Sequence, residues 1–112
     1  MAPPTYTAEQ IARAMKDLCS AYDVAARSVK ADTNNSDTAI ARISLTNAAG
    51  MLDAAAENPA LHSNARDAAR ALAAAYRTTN AVSSVSDNSS ALFQMTIDDA
   101  NRADAAMAAA CR

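Results

Sequence analysis

The sequence has no tryptophan, one glycine, one histidine, and no run of 18 apolar residues. One glycine cannot build a phosphate-cradling or dinucleotide-binding loop, which each need several. The lone His62 has no His or Cys three or four residues away, so the spacing of a metal site is missing. The serines lack a G-x-S-x-G elbow and a placed His–acid pair, which leaves no nucleophilic triad. Without a long apolar run nothing spans a bilayer, and the opening Met-Ala-Pro-Pro has no hydrophobic signal region. A formal charge of -2 and a pI near 5.1 give no long-range attraction for nucleic acid or an anionic membrane. These absences predict a soluble chain that is not an enzyme. No catalytic residues, metal or cofactor are expected, nor binding to nucleic acid or insertion of this segment into a membrane.

Alanine makes up more than a quarter of the 112 residues, and valine and isoleucine are few. Alanine is the best helix former, so the composition argues for helix nearly throughout, in a single domain by size. The clearest element is a seam of Ile11, Met15, Leu18, Tyr22, Ala25 and Val29 at spacings of 4, 3, 4, 3 and 4, one face of a long first helix. Pro3 and Pro4 keep residues 1–6 as an extended lead. Thr7 with Gln10 matches a capping box, which starts a helix over 8–30. Glu9, Arg13 and Asp17 form a charge ladder along it. Ala31 to Asp37, with its Asp-Thr-Asn-Asn-Ser-Asp run, is read as a turn, with Asp37 capping a second helix over 38–57. That helix carries a broad apolar face (Ile40, Ile43, Leu45, Ala48, Met51, Leu52), with Ser44 and Asn47 intruding and Gly50 read as a site of close backbone packing. Asn58-Pro59 ends it. A third helix over 62–85 follows the stripe Leu61, Ala65, Ala68, Leu72, Tyr76 and Thr79, extended by Val82 and Val85. A fourth over 90–110 runs through Phe93, Ile97, Ala100, Ala103 and Met107 to Cys111. Four helices joined by short turns predict an all-α antiparallel, up-down-up-down bundle.

Two cysteines at opposite ends of a short chain fit either a disulfide in an oxidising compartment or two unrelated thiols in a cytosolic regulatory protein. The even count and placement favour a Cys19–Cys111 bond. This pairing bears on the third helix, whose end periodicity leaves open at Asn80 or Val85. A stop at Asn80 leaves Cys111 roughly 15 Å below Cys19, too far for Cα atoms that a disulfide holds within about 7 Å. Continuing to Val85 brings the two within about a turn. A bond would close a loop that contributes on the order of 4 kcal/mol, and it predicts an exported domain whose signal or anchor has been trimmed.

The runs Leu18-Cys19-Ser20-Ala21-Tyr22, Thr33-Asn34, Ala41-Arg42-Ile43-Ser44-Leu45-Thr46-Asn47 and Arg66-Asp67-Ala68-Ala69-Arg70, with the terminal Ala110-Cys111-Arg112, resemble a group of uncharacterised mycobacterial and related actinobacterial proteins. These are Ala/Pro-rich, membrane-anchored or exported, and place a small helical extracytoplasmic domain after a proline-rich segment. The resemblance covers most of residues 5 to 112 and carries no catalytic signature. It implies export and supports the disulfide.

Three features compete for a binding role. Arg66, Arg70 and Arg77 share a face of the third helix and suit an anionic partner, although Asp53 and Glu57 stand where they would neutralise part of it. Tyr22, Tyr76 and Phe93 fall on facing seams and, with Met15, Met51, Met95 and Met107, line either a pocket or an ordinary core. In a core the tyrosine hydroxyls would bond to Ser44, Asn47 or Thr79. Asp98, Asp99 and Asp104 do not form a convincing carboxylate pair, and Asp98 is expected to pair with Arg102. His62 reads as a surface histidine. The expected function is a non-enzymatic extracytoplasmic module of the cell envelope that presents a surface to a protein or envelope component. The alternative is a carrier of a small hydrophobic ligand, lipid or haem in the bundle interior.

Overall fold

Each helix starts where a short polar side chain, or an extended residue before it, releases the first backbone amides. The computed structural model describes residues 5–34 and 37–112; the proline pair of the lead and Asn35 and Ser36 of the first turn lie outside the described residues. Helix α1 (Ala8–Thr33) opens on the full capping box: Gln10 N donates to Thr7 Oγ1 at 3.1 Å, and Thr7 N donates to Gln10 Oε1 at 2.8 Å. Asp37 accepts from Ala39 N at 2.9 Å to start α2 (Thr38–Ala56). His62 holds the extended conformation of an N-cap but makes no side-chain capping bond to α3 (Ser63–Val85). Ser90 accepts from Phe93 N at 3.1 Å at the head of α4 (Ala91–Ala110).

One boundary differs from the sequence reading by more than a single residue. Helix α1 continues three residues past Lys30 because polar side chains that usually break helices here cap it. Thr33 Oγ1 donates to the Val29 carbonyl at 2.7 Å and Asn34 Nδ2 to that of Lys30 at 3.0 Å. The long α3 is present, and it sets the height of α4. Cys19 and Cys111 form a disulfide with Cα atoms 5.6 Å apart across a sequence separation of 92.

The cross-links establish antiparallel order. Going back along α2 and forward along α3, Asp53 pairs with Arg77 at 2.5 Å, Thr46 accepts from Asn80 at 2.9 Å, and Arg42 donates to the Ser83 carbonyl at 2.8 Å. Ser44 bonds Asp32 and the Ser28 carbonyl of α1, while Tyr22 reaches Asp104 of α4. Helix α1 packs on α2, α2 on α3 and α3 on α4, but the backbones of α1 and α4 make little direct contact. The bundle is 49 Å long and 24 by 21 Å across, the proportions of aligned rods. None of the described helices is long and apolar enough to cross a membrane.

The core is a seam of alanines around four large side chains, Leu18, Leu52, Leu72 and Met107, all fully buried. Ala48, Ala49, Ala56, Ala65, Ala69 and Ala73 are completely or almost completely enclosed, so α2 and α3 approach closely through small side chains. Three expectations for α2 are corrected. Its buried face narrows to Ser44, Leu45, Ala48, Ala49, Leu52 and Ala56, leaving Ile43 60% exposed and Ile40 at the surface. Neither isoleucine belongs to the core or to the apolar side chains packed against it. Asn47 faces solvent and needs no interior bond. Gly50 is exposed, and a Cβ added there would meet nothing within 4 Å, so it serves no close packing. Among the described residues every buried side-chain nitrogen and oxygen has a partner. Arg102 pairs with Asp99, three residues away, rather than with Asp98.

Candidate functional site: a cleft between the first and last helices

The seam of α1 carries Tyr22, Ala26, Val29 and Thr33 one above another, while α4 turns Ile97, Ala100 and Asp104 toward it. Near the disulfide, Met107 fills the space between helices. Farther along, the facing residues are small, Ala26 on one side and Ala100 on the other, and the gap stays open. The result is a cleft of about 520 Å³ floored by Leu45 of α2 and Tyr76 and Thr79 of α3, within the volume range of small-molecule sites. Asp23, Arg27, Lys30 and Asn101 stand at its edges.

The disulfide-proximal end is polar. Tyr22 donates its hydroxyl to Asp104 Oδ1 at 2.8 Å, across a sequence separation of 82. Asp104 is half-buried and forms no ion pair among the described residues. The cations nearest in the lining are engaged or distant. Arg27 is bound to Asp23 on its own helix, and Lys30 lies two turns beyond Tyr22, about 12 Å along α1. Burial, then the charge of Asp104, pushes the Tyr76 phenol up to about 12. Tyr22 is raised further, first by burial and then by its hydrogen bond to Asp104 and that group's charge. Both phenols therefore stay neutral, and Asp104 is the charge that the deep end of the cleft presents.

Two of the three aromatic residues singled out in the sequence meet here, Tyr22 and Tyr76. Phe93 is half-buried on α4 but does not line the cleft. Nor do the methionines: Met107 is core, Met15 and Met51 pack against it, and Met95 is 61% exposed. The Tyr22 hydroxyl bonds neither Ser44, Asn47 nor Thr79, because the facing helix supplies a carboxylate instead. Asp104 is the residue that sequence reasoning passed over. Its signal was present, since it lies four residues past Ala100 and seven past Ile97, a charge on the apolar face of α4.

The arginine face is largely engaged in structure. Arg66 Nη2 donates to the carbonyls of Asn58, Pro59 and Leu61 at 3.1 to 3.4 Å, clamping the α2–α3 turn. Arg77 is paired with Asp53, and Arg70 points into solvent. His62, exposed at the head of α3, lies about 20 Å along that helix from Tyr76. No group of three His, Cys, Asp or Glu among the described residues is arranged to hold a metal ion. The chain matches no protein-family model, no curated protein and no solved structure.

Proposed function

We propose that this chain is a non-enzymatic extracytoplasmic module of the cell envelope that holds a small apolar or amphipathic molecule between α1 and α4. The cleft itself carries the reading: it has the volume of a ligand site, and its floor reaches the buried face of Leu45 and Tyr76. The disulfide supports an oxidising, extracytoplasmic setting. Haem fits this cleft poorly. His62 is remote, and a tyrosine axial ligand would have to ionise where burial and Asp104 oppose it.

The test is saturable binding of a single-chain amphiphile by the oxidised protein, together with mass analysis of whatever copurifies from an actinobacterial host. Substituting Ala100→Trp fills the gap and should abolish one-to-one binding while leaving the protein folded. If wild type binds no neutral, cationic or anionic amphiphile saturably, the carrier reading is wrong.

A surface role has separate support. Ile40, Ile43, Val85, Leu92 and Met95 are all exposed at the end of the bundle where α2 and α4 begin and α3 ends, with Val85 81% exposed. This end would meet an envelope protein. A photo-crosslinking residue at Val85 in the full-length native protein should then give one discrete adduct, and a diffuse ladder or none counts against it.

A further inference from the structure

Resting on the ligand-site reading, we infer that the cleft selects a cationic amphiphile, an ammonium head attached to a linear apolar chain, with the head seated at Asp104 between Tyr22 and Tyr76. Three observations point the same way. Asp104 is a half-buried carboxylate in an apolar-floored cleft, and its one partner there is the neutral hydroxyl of Tyr22. A half-buried charge gains from an opposite one nearby, and among the described residues no cation pairs with this one. An incoming ammonium would supply that pairing. The two flanking groups are also the aromatic ones, Tyr22 and Tyr76. Phenol rings attract ammonium groups through the negative faces of their π systems, the chemistry that recognises quaternary ammonium ligands elsewhere. Burial and the adjacent carboxylate keep both phenols neutral, so they solvate a cation without competing as anions.

The remainder of the cleft fits the chain of such a molecule. From Tyr22 to Thr33 the groove follows α1 for about 16 Å, past Ala26 and Val29 on one wall and Ala100 and Ile97 on the other, over Leu45. Lys30 lies at the far end, where its methylenes cover the chain and its ammonium remains in water. An anionic head would have to turn to Arg27 or Lys30 at the edges and leave Asp104 without a cation.

Three probes with the same ten-carbon chain separate these cases, each used below its micelle concentration and followed by calorimetry and amide chemical-shift mapping. Decyltrimethylammonium should bind one-to-one, at least tenfold more tightly than 1-decanol or decanoate, with the largest shifts at Tyr22, Tyr76 and Asp104. Asp104→Asn keeps an acceptor for the Tyr22 hydroxyl and removes the charge. It should weaken the cation at least tenfold and leave 1-decanol unchanged. Asp98→Asn removes the same charge from an exposed position of α4 and should change neither, which excludes general attraction of a cation to an acidic protein. Equal binding of the three probes by wild type overturns the cationic preference while keeping the ligand site, and it does so without any variant having to fold. Preference for decanoate assigns the head to the basic edge of Arg27 and Lys30 and also overturns it. Saturable binding of none of the probes removes the ligand site altogether.

Discussion

The hydroxyl of Tyr22 sits where two roles meet, since it fastens α1 to α4 and also finishes the polar end of the cleft. Tyr22→Phe removes a hydrogen bond to a charged acceptor and leaves a half-buried carboxylate without its donor. A loss of about 1–2 kcal/mol is expected in denaturant unfolding. A change below 0.5 kcal/mol would mean that water replaces the hydroxyl freely. Tyr76 gives a pH prediction whose sign is fixed. Its phenol ionises near 10.0 when unfolded and is pushed up to about 12 when folded. Folding therefore holds the proton, and the associated stability is complete below pH 10 and lost as pH rises from 10 towards 12. Tyrosinate absorbance of the folded protein should show Tyr76 still protonated at pH 11, while stability to denaturant declines from pH 10 upward. In Asp104→Asn its ionisation should move down but remain above 10, because burial, the larger cause, is unchanged. Gly50 offers the opposite kind of test. With open space around it and helical backbone, Gly50→Ala should stabilise by about 0.5–1 kcal/mol, largely by restricting the unfolded chain. A loss on that substitution would show that α2 is more crowded than its exposure indicates.

At the scale of elements, helix starts were legible because they are local chemistry. Thr7 with Gln10, and Asp37, satisfy amides three and two residues ahead, and no tertiary contact is needed to find them. The end of α1 was less legible, since the same Thr and Asn that break a helix in one context cap its carbonyls in another. The long α3 was legible only through a distant constraint, the meeting of Cys19 and Cys111. The cleft could not be read, because it depends on which alanine of α1 stands opposite which alanine of α4, and periodicity assigns a face without assigning its neighbour. For the same reason Ile40 and Ile43 were placed inside, whereas both lie at the surface outside the core cluster. One helix start is left unfinished, that of α3, where His62 has the cap conformation and no cap bond. His62→Asp should add a bond to the first free amides and a favourable charge at the positive end of the helix dipole, raising stability by about 0.5–1 kcal/mol. Thermal unfolding at pH 7 reads this directly, and an unchanged midpoint would mean that the turn clamped by Arg66 already satisfies those amides.

For the whole molecule, the covalent tie falls where the packing is weakest. Helices α1 through α4 are each packed closely on the next, while α1 and α4 are joined mainly by the disulfide, the Tyr22–Asp104 bond and the Met107 contact beneath the cleft. A bundle with a gap in one wall gains little from burial there, so the chain constraint carries more of its stability. Closing a loop across a separation of 92 removes unfolded-state freedom equivalent to about 4 kcal/mol. In a domain of this size that corresponds to a fall of roughly 15 °C in melting temperature when the tie is removed. Cys19→Ala combined with Cys111→Ala tests this without burying new hydroxyls, and reduction of the wild type should reproduce it. Far-UV circular dichroism should retain most of its helical signal below the new transition, since three of the four helix contacts do not involve the bond. Binding of the ten-carbon probes should weaken along with stability, because the wall carrying Asp104 is then held to Tyr22 by one hydrogen bond. If stability falls as expected but binding is unchanged, the cleft is shaped by α2 and α3 alone and the disulfide serves folding rather than the site. If stability is also unchanged, the packing of α1 on α2 and of α4 on α3 is sufficient by itself, and the clamp contributes nothing that the core does not already provide.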